Sequence, residues 1–275
     1  MEGVTQGDCD RLLGAILGMG INLIDTAPSY GDAEEKIGRA VAHRRREYVL
    51  VTQCGYKAGD TAPEAWTGEN VRHSLARSLK RLKTEAVDVL LLHSCSAEEL
   101  KNSRMIDALV GCREEGLTRF VGYSGDGDAA LSALDLGVLD VLETSVNIFD
   151  QQCLETVLPK AAQSGLGVIA KRPMASAFWQ GHDVGNPVHQ AYFTRRDAMG
   201  FTPSSLGFDG DWPGLCLRFA AHQDSVHSSL TATRKIEHFR ESSDNDHKGR
   251  FPCDLYRKLR NEWENHDDGS WAGCP

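Results

Sequence analysis

The sequence has no paired cysteines, no long apolar run and no surplus of positive charge, and each absence excludes a class of protein. Its eight cysteines are scattered, none forms a Cys-x-x-Cys pair, and no Cys/His spacing matches a zinc site. No apolar run approaches the ~20 residues of a membrane span. The net charge is −9 at pH 7, so a nucleic-acid partner is not expected, because its phosphates would be repelled. We expect free thiols, no metal, no membrane contact and a cytoplasmic location.

The length fits one large domain. At 275 residues the chain can bury a substantial core, and an α/β barrel commonly runs to roughly 250 residues as one unit. We predict a single domain over 1–275, in which 172–213 is a long loop over the active face and 252–275 is a C-terminal helix and tail. The N-terminal stretch lacks the basic segment of a signal peptide, so none is expected. The oligomeric state stays open.

Short apolar runs predict seven β-strands. Most of these runs do not alternate polar with apolar residues, which indicates strands buried on both faces, as in a parallel sheet. Apolar stripes with helical spacing lie between them, so a βα-repeat fold is expected. The predicted strands are 21–25, 48–52, 87–92, 119–123, 139–144, 167–171 and 228–232. The predicted helices are 8–18, 69–83, one around 106–110 that Gly116 closes, 150–164, 236–241 and 254–264, with a solvated turn at 243–246.

The number of strands bears on whether a barrel can close. A closed (β/α)8 barrel needs eight strands, and the chain begins with a predicted helix. We therefore expect a barrel that lacks its first strand, because 2–6 favours a strand only at Val4 and Thr5. An open, doubly wound sheet is the structural alternative.

Polar residues stand at the carboxyl ends of the predicted strands, where a barrel of this kind has its active face. A tyrosine can donate a proton to a developing alkoxide, a histidine can hydrogen-bond a carbonyl oxygen, and a carboxylate can hold a cation that lowers the tyrosine pKa. Together they indicate acid–base chemistry on a carbonyl group. Singly, His93 also fits a core histidine and Asp25 a helix-capping turn. The residues are Asp25, Gln53, His93, Ser124, Asn147, Lys171 and Arg172, with Tyr30 one short loop beyond Asp25.

Several motifs resemble those of the aldo-keto reductase family. Residues 20–27 read GINLIDTA and are followed by Tyr30-Gly31, Glu34 and Gly38, which is similar to the family signature. LLLH at 90–93, VGYS at 121–124, Asn147 and ATRKIEH at 232–238 resemble later family motifs in the family's order. The resemblance covers about 10–242.

The resemblance implies a (β/α)8 TIM barrel that binds NADP(H) and reduces aldehydes or ketones. Of the family's four catalytic residues, Asp25, Tyr30 and His93 match by motif. The fourth place, a lysine in the family, is Gln53 in VTQCG at 51–55. An unperturbed tyrosine has a pKa of ~10, and a neighbouring ammonium eases its proton transfer. Since Gln53 has no charge, a loss of roughly 10²–10⁴ in rate is expected.

Two lysines could replace the missing ammonium. Lys57 lies several residues into a loop. Lys171 stands where many family members place an aromatic residue that stacks on the nicotinamide, so it could face the cofactor instead.

The resemblance also places the cofactor. A helix that begins near Ile236 presents its N-terminus to phosphate, with positive charge on Arg234 and Lys235. By resemblance, residues of this loop and helix would contact the adenosine end, and two strand-end residues the nicotinamide carboxamide. A solvated basic helix start is the alternative. The adenosine set is Thr233, Arg234, Lys235, His238 and Glu241; the nicotinamide set is Ser124 and Asn147, with Lys171 and Arg172 close by.

The sequence leaves more than one function open. The first hypothesis is an NADP(H)-dependent reductase of a small carbonyl compound, impaired by Gln53. The alternative is a catalytically weak NADP(H)-binding sensor or regulatory protein, and a truncated gene product is a third. The aromatic residues of 172–213 line an apolar substrate pocket or form a core of their own.

Overall fold

The computed structural model describes residues 4–57, 59, 62–181, 185–246, 248–271 and 273. The chain divides into two compact units. The first comprises Met1–Ser124, Ser132–Leu142 and Thr233–Ile236, and the second comprises Gly125–Leu131, Glu143–Ala232 and Glu237–Pro275. The prediction of a single domain over 1–275 stays a prediction.

Strands and helices alternate along the chain, as the sequence predicts. The strands are β1 Leu23–Asp25, β2 Val49–Cys54, β3 Val87–His93, β4 Thr118–Ser124, β5 Val141–Ser145, β6 Gly167–Lys171 and β7 Ser228–Ser229. The helices are α1 Gln6–Gly18, α2 Ala33–Val41, α3 Gly68–Leu82, α4 Ser103–Glu114, α5 Gly127–Leu134, α6 Val157–Gln163, α7 Pro187–Met199, α8 Trp212–Ala221, α9 Ile236–Asp246 and α10 Cys253–His266.

In the first unit, β1 to β4 are parallel neighbours in chain order. Asp25 lies beside Val51, and His93 lies beside Ser124. The β3 residues from Val87 to Leu92 are all buried, which agrees with a parallel strand covered on both faces. Helices α1 to α4 pack in sequence against one another, and the apolar bodies of the strands are part of the buried core.

The start of α1 shows that residues 4–5 do not form a strand. Thr5 is the N-cap of this helix: its hydroxyl accepts from the Asp8 N–H at 3.2 Å, and its own N–H donates to Asp8 Oδ2 at 3.2 Å. This reciprocal capping satisfies helix donors that would otherwise be unpaired. Val4 and Thr5 are therefore not a strand, as expected from their weak strand pattern, and residues 2–3 lie outside the described residues. Seven strands are found in the described part of the chain.

In the second unit, β6 and β7 are parallel, with Ile169 beside Ser228. The segment predicted as a loop at 172–213 contains α7, which begins behind an Asn186 cap and Pro187. Its aromatic side chains pack on each other and on α10 rather than lying open, which favours the second of the two hypotheses for them. This aromatic core includes Phe178, Tyr192, Phe201, Leu255, Leu259 and Trp263.

Two further predictions differ from the structure. The predicted turn at 243–246 is wrong, because α9 continues to Asp246. The predicted helix at 150–164 is a short 3-10 turn, Gln152–Leu154, followed by α6. In the tail, the Trp271 ring lies edge-on to Trp263 at 5.1 Å, so this part is packed. Among the described helices, none is long and apolar enough to cross a membrane.

Candidate active site

Four neighbouring strands of the first unit end in polar residues. Asp25, His93 and Ser124 are the last residues of β1, β3 and β4, and Gln53 is the last but one of β2. The strands are parallel and in register, so these ends lie at one edge of the sheet. The three strand residues that are predicted to be catalytic, Asp25, Gln53 and His93, therefore lie at the same edge.

Tyr30 stands on the loop that follows β1. The loop turns sharply, since the Tyr30 N–H donates to the Ala27 carbonyl at 3.0 Å and Gly31 has a φ of +61°. The Tyr30 ring is 43% exposed. It lies edge-on to the His93 ring, with centroids 5.8 Å apart and planes at 88°. Tyr30 and His93 thus face the same space.

Gln53 takes the place of the family lysine. Its side chain is 1% exposed, and Nε2 donates to Asp25 Oδ1 at 3.4 Å, a long hydrogen bond. Its Oε1 is buried and has no hydrogen-bond partner among the described residues. Gln53 therefore reaches Asp25 without carrying a charge, and its Oε1 is unsatisfied among the described residues.

The two lysines considered as substitutes both have carboxylate partners. Lys57 Nζ lies 2.6 Å from Glu64 Oε1. In the second unit, Lys171 Nζ lies 3.1 Å from Asp126 Oδ2, and both side chains are largely buried. Neither contact supports a free ammonium beside Tyr30.

A row of aromatic rings continues from His93. The Tyr56 ring lies 5.0 Å from His93, and Trp66 lies 4.8 Å from Tyr56, both edge-on. Gly55 makes this possible: it has a φ of +117°, and a Cβ there would lie 2.0 Å from the Trp66 ring. No sequence pattern predicts that Tyr56 and Trp66 lie here, because only the fold brings their rings together.

A cavity of about 200 Å³ lies beside Gln53 and His93, and we call it the Arg77 cavity. It is bordered by residues before and after Tyr30 in the chain and by two α3 residues, Ser74 and Arg77, that no sequence pattern predicts to lie there. The lining residues are Pro28, Ser29, Gly31, Gln53, Cys54, Tyr56, Lys57, Gly59, Ser74, Arg77 and His93.

In the second unit, Asp126 is the centre of a satisfied polar network. Its carboxylate accepts from the Thr144 hydroxyl at 2.9 Å, from the Ser145 N–H at 2.6 Å and from the Ser145 hydroxyl at 3.2 Å, besides its ion pair with Lys171. A buried ion pair is stable when further hydrogen bonds satisfy its atoms. Lys171 is thus held by Asp126.

Asn147, predicted to contact the nicotinamide, is fully buried. Its Nδ2 donates to the Arg172 carbonyl and to the Tyr192 hydroxyl, both at 3.1 Å, and its Oδ1 accepts from the Phe149 N–H at 2.9 Å. Both amide donors are used within the unit. Asn147 therefore fixes the backbone at Arg172.

The predicted phosphate loop precedes α9. The Lys235 N–H donates to the Thr233 hydroxyl at 3.1 Å, which shapes the loop, and the Arg234 and Lys235 side chains are exposed. His238 is half-buried and Glu241 is exposed on α9. These positive groups before a helix N-terminus can bind a phosphate.

The cysteines near the strand ends are not reactive thiols. Burial raises the pKa of Cys95 to about 12 and that of Cys54 well above its ordinary value, so the nucleophilic thiolate is disfavoured. The described residues include no group of three or more His, Cys, Asp or Glu side chains that could hold a metal ion.

Comparisons with known proteins agree with this architecture. The family model "Aldo/keto reductase family" matches residues 3–247, and the chain belongs to that family. L-galactose dehydrogenase of Arabidopsis thaliana is 32% identical over a match that covers 62% of this chain and 57% of that protein. The NADH-specific methylglyoxal reductase of Escherichia coli is 27% identical, with 73% and 67% covered. The matched part thus spans just over half of the first relative.

Solved structures share the fold. An aldo-keto reductase from Bacillus halodurans, in its holo form, superimposes with a TM-score of 0.77 at 18% identity, covering 94% of this chain and 88% of that one. The fold is the (β/α)8 barrel type of the family, with seven strands in the described residues.

Proposed function

We propose that this chain reduces a small aldehyde or ketone to an alcohol with NADP(H), at a rate limited by Gln53. One observation carries the proposal: Asp25, Gln53 and His93 end adjacent parallel strands, and Tyr30 faces His93 at 5.8 Å. These are the residue types that carbonyl reduction needs, and three of the four match the family's motifs.

Each residue has a part in moving one proton. Tyr30 donates its phenolic proton to the carbonyl oxygen as negative charge develops there, and His93 hydrogen-bonds the same oxygen. Gln53 positions Asp25 through their hydrogen bond but gives no charge that would favour the phenolate of Tyr30. When bound, a reduced nicotinamide supplies the hydride. The expected result is slow reduction at neutral pH, because a tyrosine without a neighbouring cation is a weak proton donor.

The phosphate end of the cofactor fits this chain. The loop Thr233, Arg234 and Lys235 has one hydroxyl and two exposed cations, a donor set that suits a 2′-phosphate. This favours NADP(H), although one relative is named NADH-specific. Six further residues stay predicted cofactor contacts: Ser124, Asn147, Lys171, Arg172, His238 and Glu241. Among them, Asn147 already uses both hydrogens of its side-chain amide in hydrogen bonds within the protein.

A second function is favoured by a specific observation. Gln53 carries no charge and has an unsatisfied oxygen, as expected of a site that has lost its catalytic ammonium. A catalytically weak NADP(H)-binding sensor or regulatory protein would keep the phosphate loop and tolerate this change. We further propose a cytoplasmic protein that binds no nucleic acid, in line with its free described cysteines and acidic charge.

Cofactor titration and turnover separate the two functions. NADPH and NADH are titrated by tryptophan fluorescence quenching, and methylglyoxal reduction is followed at 340 nm. The reductase predicts NADPH-preferring binding and turnover that Tyr30→Phe lowers by roughly 10²–10⁴. The control is Tyr48→Phe, at the other end of β2. Tight binding without turnover of methylglyoxal or other aldehydes supports the sensor, and no binding of either nucleotide contradicts both.

A further inference from the structure

The loop that carries Tyr30 is tied to α3 by an arginine. Arg81 lies in the last turn of α3, and its Nη1 donates to the Gly31 carbonyl at 3.4 Å, a long hydrogen bond. The same nitrogen lies 3.8 Å from Glu34 Oε2, and Nε lies 3.4 Å from Glu35 Oε1. The guanidinium therefore contacts both the residue directly after Tyr30 and the first turn of α2.

Close packing of two helices fixes the position of Arg81. Gly38 of α2 lies directly against the end of α3, since a Cβ added there would lie 2.2 Å from the Arg81 carbonyl oxygen and 2.9 Å from Leu82 Cα. Glycine permits this approach because it has no side chain. The Arg81 side chain is 21% exposed, so most of it is covered. A cation in the last turn of a helix is favoured by the helix dipole, but the dipole alone does not require these contacts.

Glu34 connects the same arginine to β2. It is fully buried, and its Oε1 accepts from the Thr52 hydroxyl at 2.9 Å. A buried carboxylate is costly unless it is paired and hydrogen-bonded, and among the described residues Arg81 provides its ion-pair contact. Glu35 contributes less, because it is partly exposed and also lies 3.8 Å from Arg39. The link to β2 therefore runs from Arg81 through Glu34.

The turn at Tyr30 is shaped by local hydrogen bonds. The Tyr30 N–H donates to the Ala27 carbonyl at 3.0 Å, and the Tyr30 carbonyl accepts from the Ala33 N–H at 3.1 Å. Gly31 supplies the left-handed φ of +61° that the turn needs. These contacts set the shape of the turn, whereas the Arg81 contact ties it to an element fifty residues further along the chain.

We propose that Arg81 is a positioning residue for proton transfer, which holds Tyr30 beside His93 through Gly31 and Glu34. The proposal rests on the proposed function, in which Tyr30 donates the proton. Arg81 acts through the loop and not on the substrate. A displacement of about 1 Å at a catalytic group can lower the rate by about 10²-fold. Loss of Arg81 should therefore lower kcat more than it changes KM.

The first test determines whether Arg81 acts through Tyr30. With methylglyoxal and NADPH, we expect Arg81→Met to lower kcat by roughly tenfold to 10²-fold while KM changes little. Arg81→Lys keeps a charge near Glu34 and should restore part of the rate. In a Tyr30→Phe background, Arg81→Met should leave the residual rate unchanged, because the group that it positions is gone. An equal fold-loss in both backgrounds would overturn the proposal.

Two further variants separate positioning from loss of the fold. Arg81→Met leaves Glu34 buried without its cation, which can destabilise the protein. The double variant Glu34→Gln/Arg81→Met removes both charges and keeps an acceptor for the Thr52 hydroxyl, so it should fold and show the same loss in kcat. The control Arg72→Met removes an exposed arginine of the same helix that pairs with Glu115, and should keep the wild-type kcat. A folded double variant with the wild-type kcat would contradict the proposal.

The second test needs no turnover. The six tyrosines are replaced by fluorotyrosine, and the fluorine NMR resonance of Tyr30 is assigned from Tyr30→Phe. The His93 ring, 5.8 Å away, shifts this resonance in the wild type. Arg81→Met should move it toward the value of free fluorotyrosine, while the Tyr48 resonance stays in place. The same movement in a protein that reduces no carbonyl compound would support the positioning while contradicting the reductase, and an unmoved Tyr30 resonance would overturn the proposal.

Discussion

Buried polar groups in the two units differ in whether their hydrogen-bonding atoms have partners. In the first unit, Gln53 Oε1 and Arg77 Nη1 have no hydrogen-bond partner among the described residues, and both residues border one cavity. In the second, Asp126 accepts three hydrogen bonds and an ion pair, and both donors of Asn147 are used. A satisfied buried group holds backbone in place, whereas an unsatisfied one costs free energy that a ligand can recover. The second unit thus contains a satisfied structural network, and the unsatisfied groups of the first unit are consistent with the substrate site that we propose there.

The largest effect should come from breaking the network of the second unit. Asp126→Ala leaves Lys171 buried without its partner, and we expect a loss of about 3–5 kcal/mol in the free energy of unfolding. Urea denaturation measures it. Asp224→Ala is the control, because it breaks an exposed ion pair with Arg250 in the same unit. A loss no larger than that of the control would mean that Asp126 is not structural.

A smaller effect is expected at Asp88. It tests whether the first unit as a whole has unsatisfied polar groups or only the carboxyl ends of its strands do. Asp88, near the start of β3, is a satisfied carboxylate of the first unit: it accepts from the Leu50 N–H at 2.8 Å and pairs with Arg45 at 2.6 Å and Arg119 at 3.2 Å. Asp88→Asn should cost about 1.5–3 kcal/mol at pH 7.

That cost should depend on pH. Burial raises the pKa of Asp88, but the Leu50 N–H and the two arginines outweigh it, so the pKa is lowered overall. A lowered pKa stabilises the fold above the unfolded value of ~3.9 and loses this contribution as pH falls through the folded value. The difference between wild type and Asp88→Asn should therefore shrink below about pH 4, while the exposed control Asp107→Asn shows no such trend. A difference constant down to pH 2 would contradict the assignment.

The smallest effect is expected from adding a charge at Gln53, whose side-chain oxygen is unsatisfied among the described residues. Gln53→Lys restores the ammonium beside Asp25 and Tyr30, and we expect kcat at pH 7 to rise at least roughly tenfold, because the cation favours the tyrosine phenolate. The pH profile should shift toward lower pH at the same time. Gln53→Met, uncharged and of similar length, is the control and should give no gain. An unchanged rate in Gln53→Lys would show that this position is outside the proton-transfer path.

Much of the fold could be predicted because it follows from local pattern. The segment at 87–92 is apolar except for Asp88, which predicts a buried strand or helix, and its short length favours the strand. Helix α7 was missed because its sequence, PVHQAYFTRRDAM, has no clear apolar stripe; packing of Tyr192 in the aromatic core stabilises it. The turn at 243–246 was predicted from its Ser, Asp and Asn residues, yet α9 continues, with buried Phe239 as its anchor.

The sequence predicts the candidate site where its residues end strands, and at Tyr30, which the family motif places on the loop after β1. Asp25, Gln53 and His93 follow from the rule that active residues stand at carboxyl ends, together with the family motifs. Ser74 and Arg77 lie in the middle of α3. Trp66 lies on a loop and packs against Tyr56, because Gly55 has no side chain that would block its ring. No local pattern distinguishes these from ordinary surface residues, because their place depends on which elements pack together. The roles of all these residues stay predictions.

Gln53 also has a genetic consequence. Glutamine codons, CAA and CAG, become the lysine codons AAA and AAG by a change of the first base alone. Because open space already lies beside the Gln53 side chain, a longer lysine could enter without moving the backbone. Selection for faster turnover could therefore act through a single base change at this position, and random mutagenesis followed by growth on a suitable carbonyl compound should recover the same codon change repeatedly.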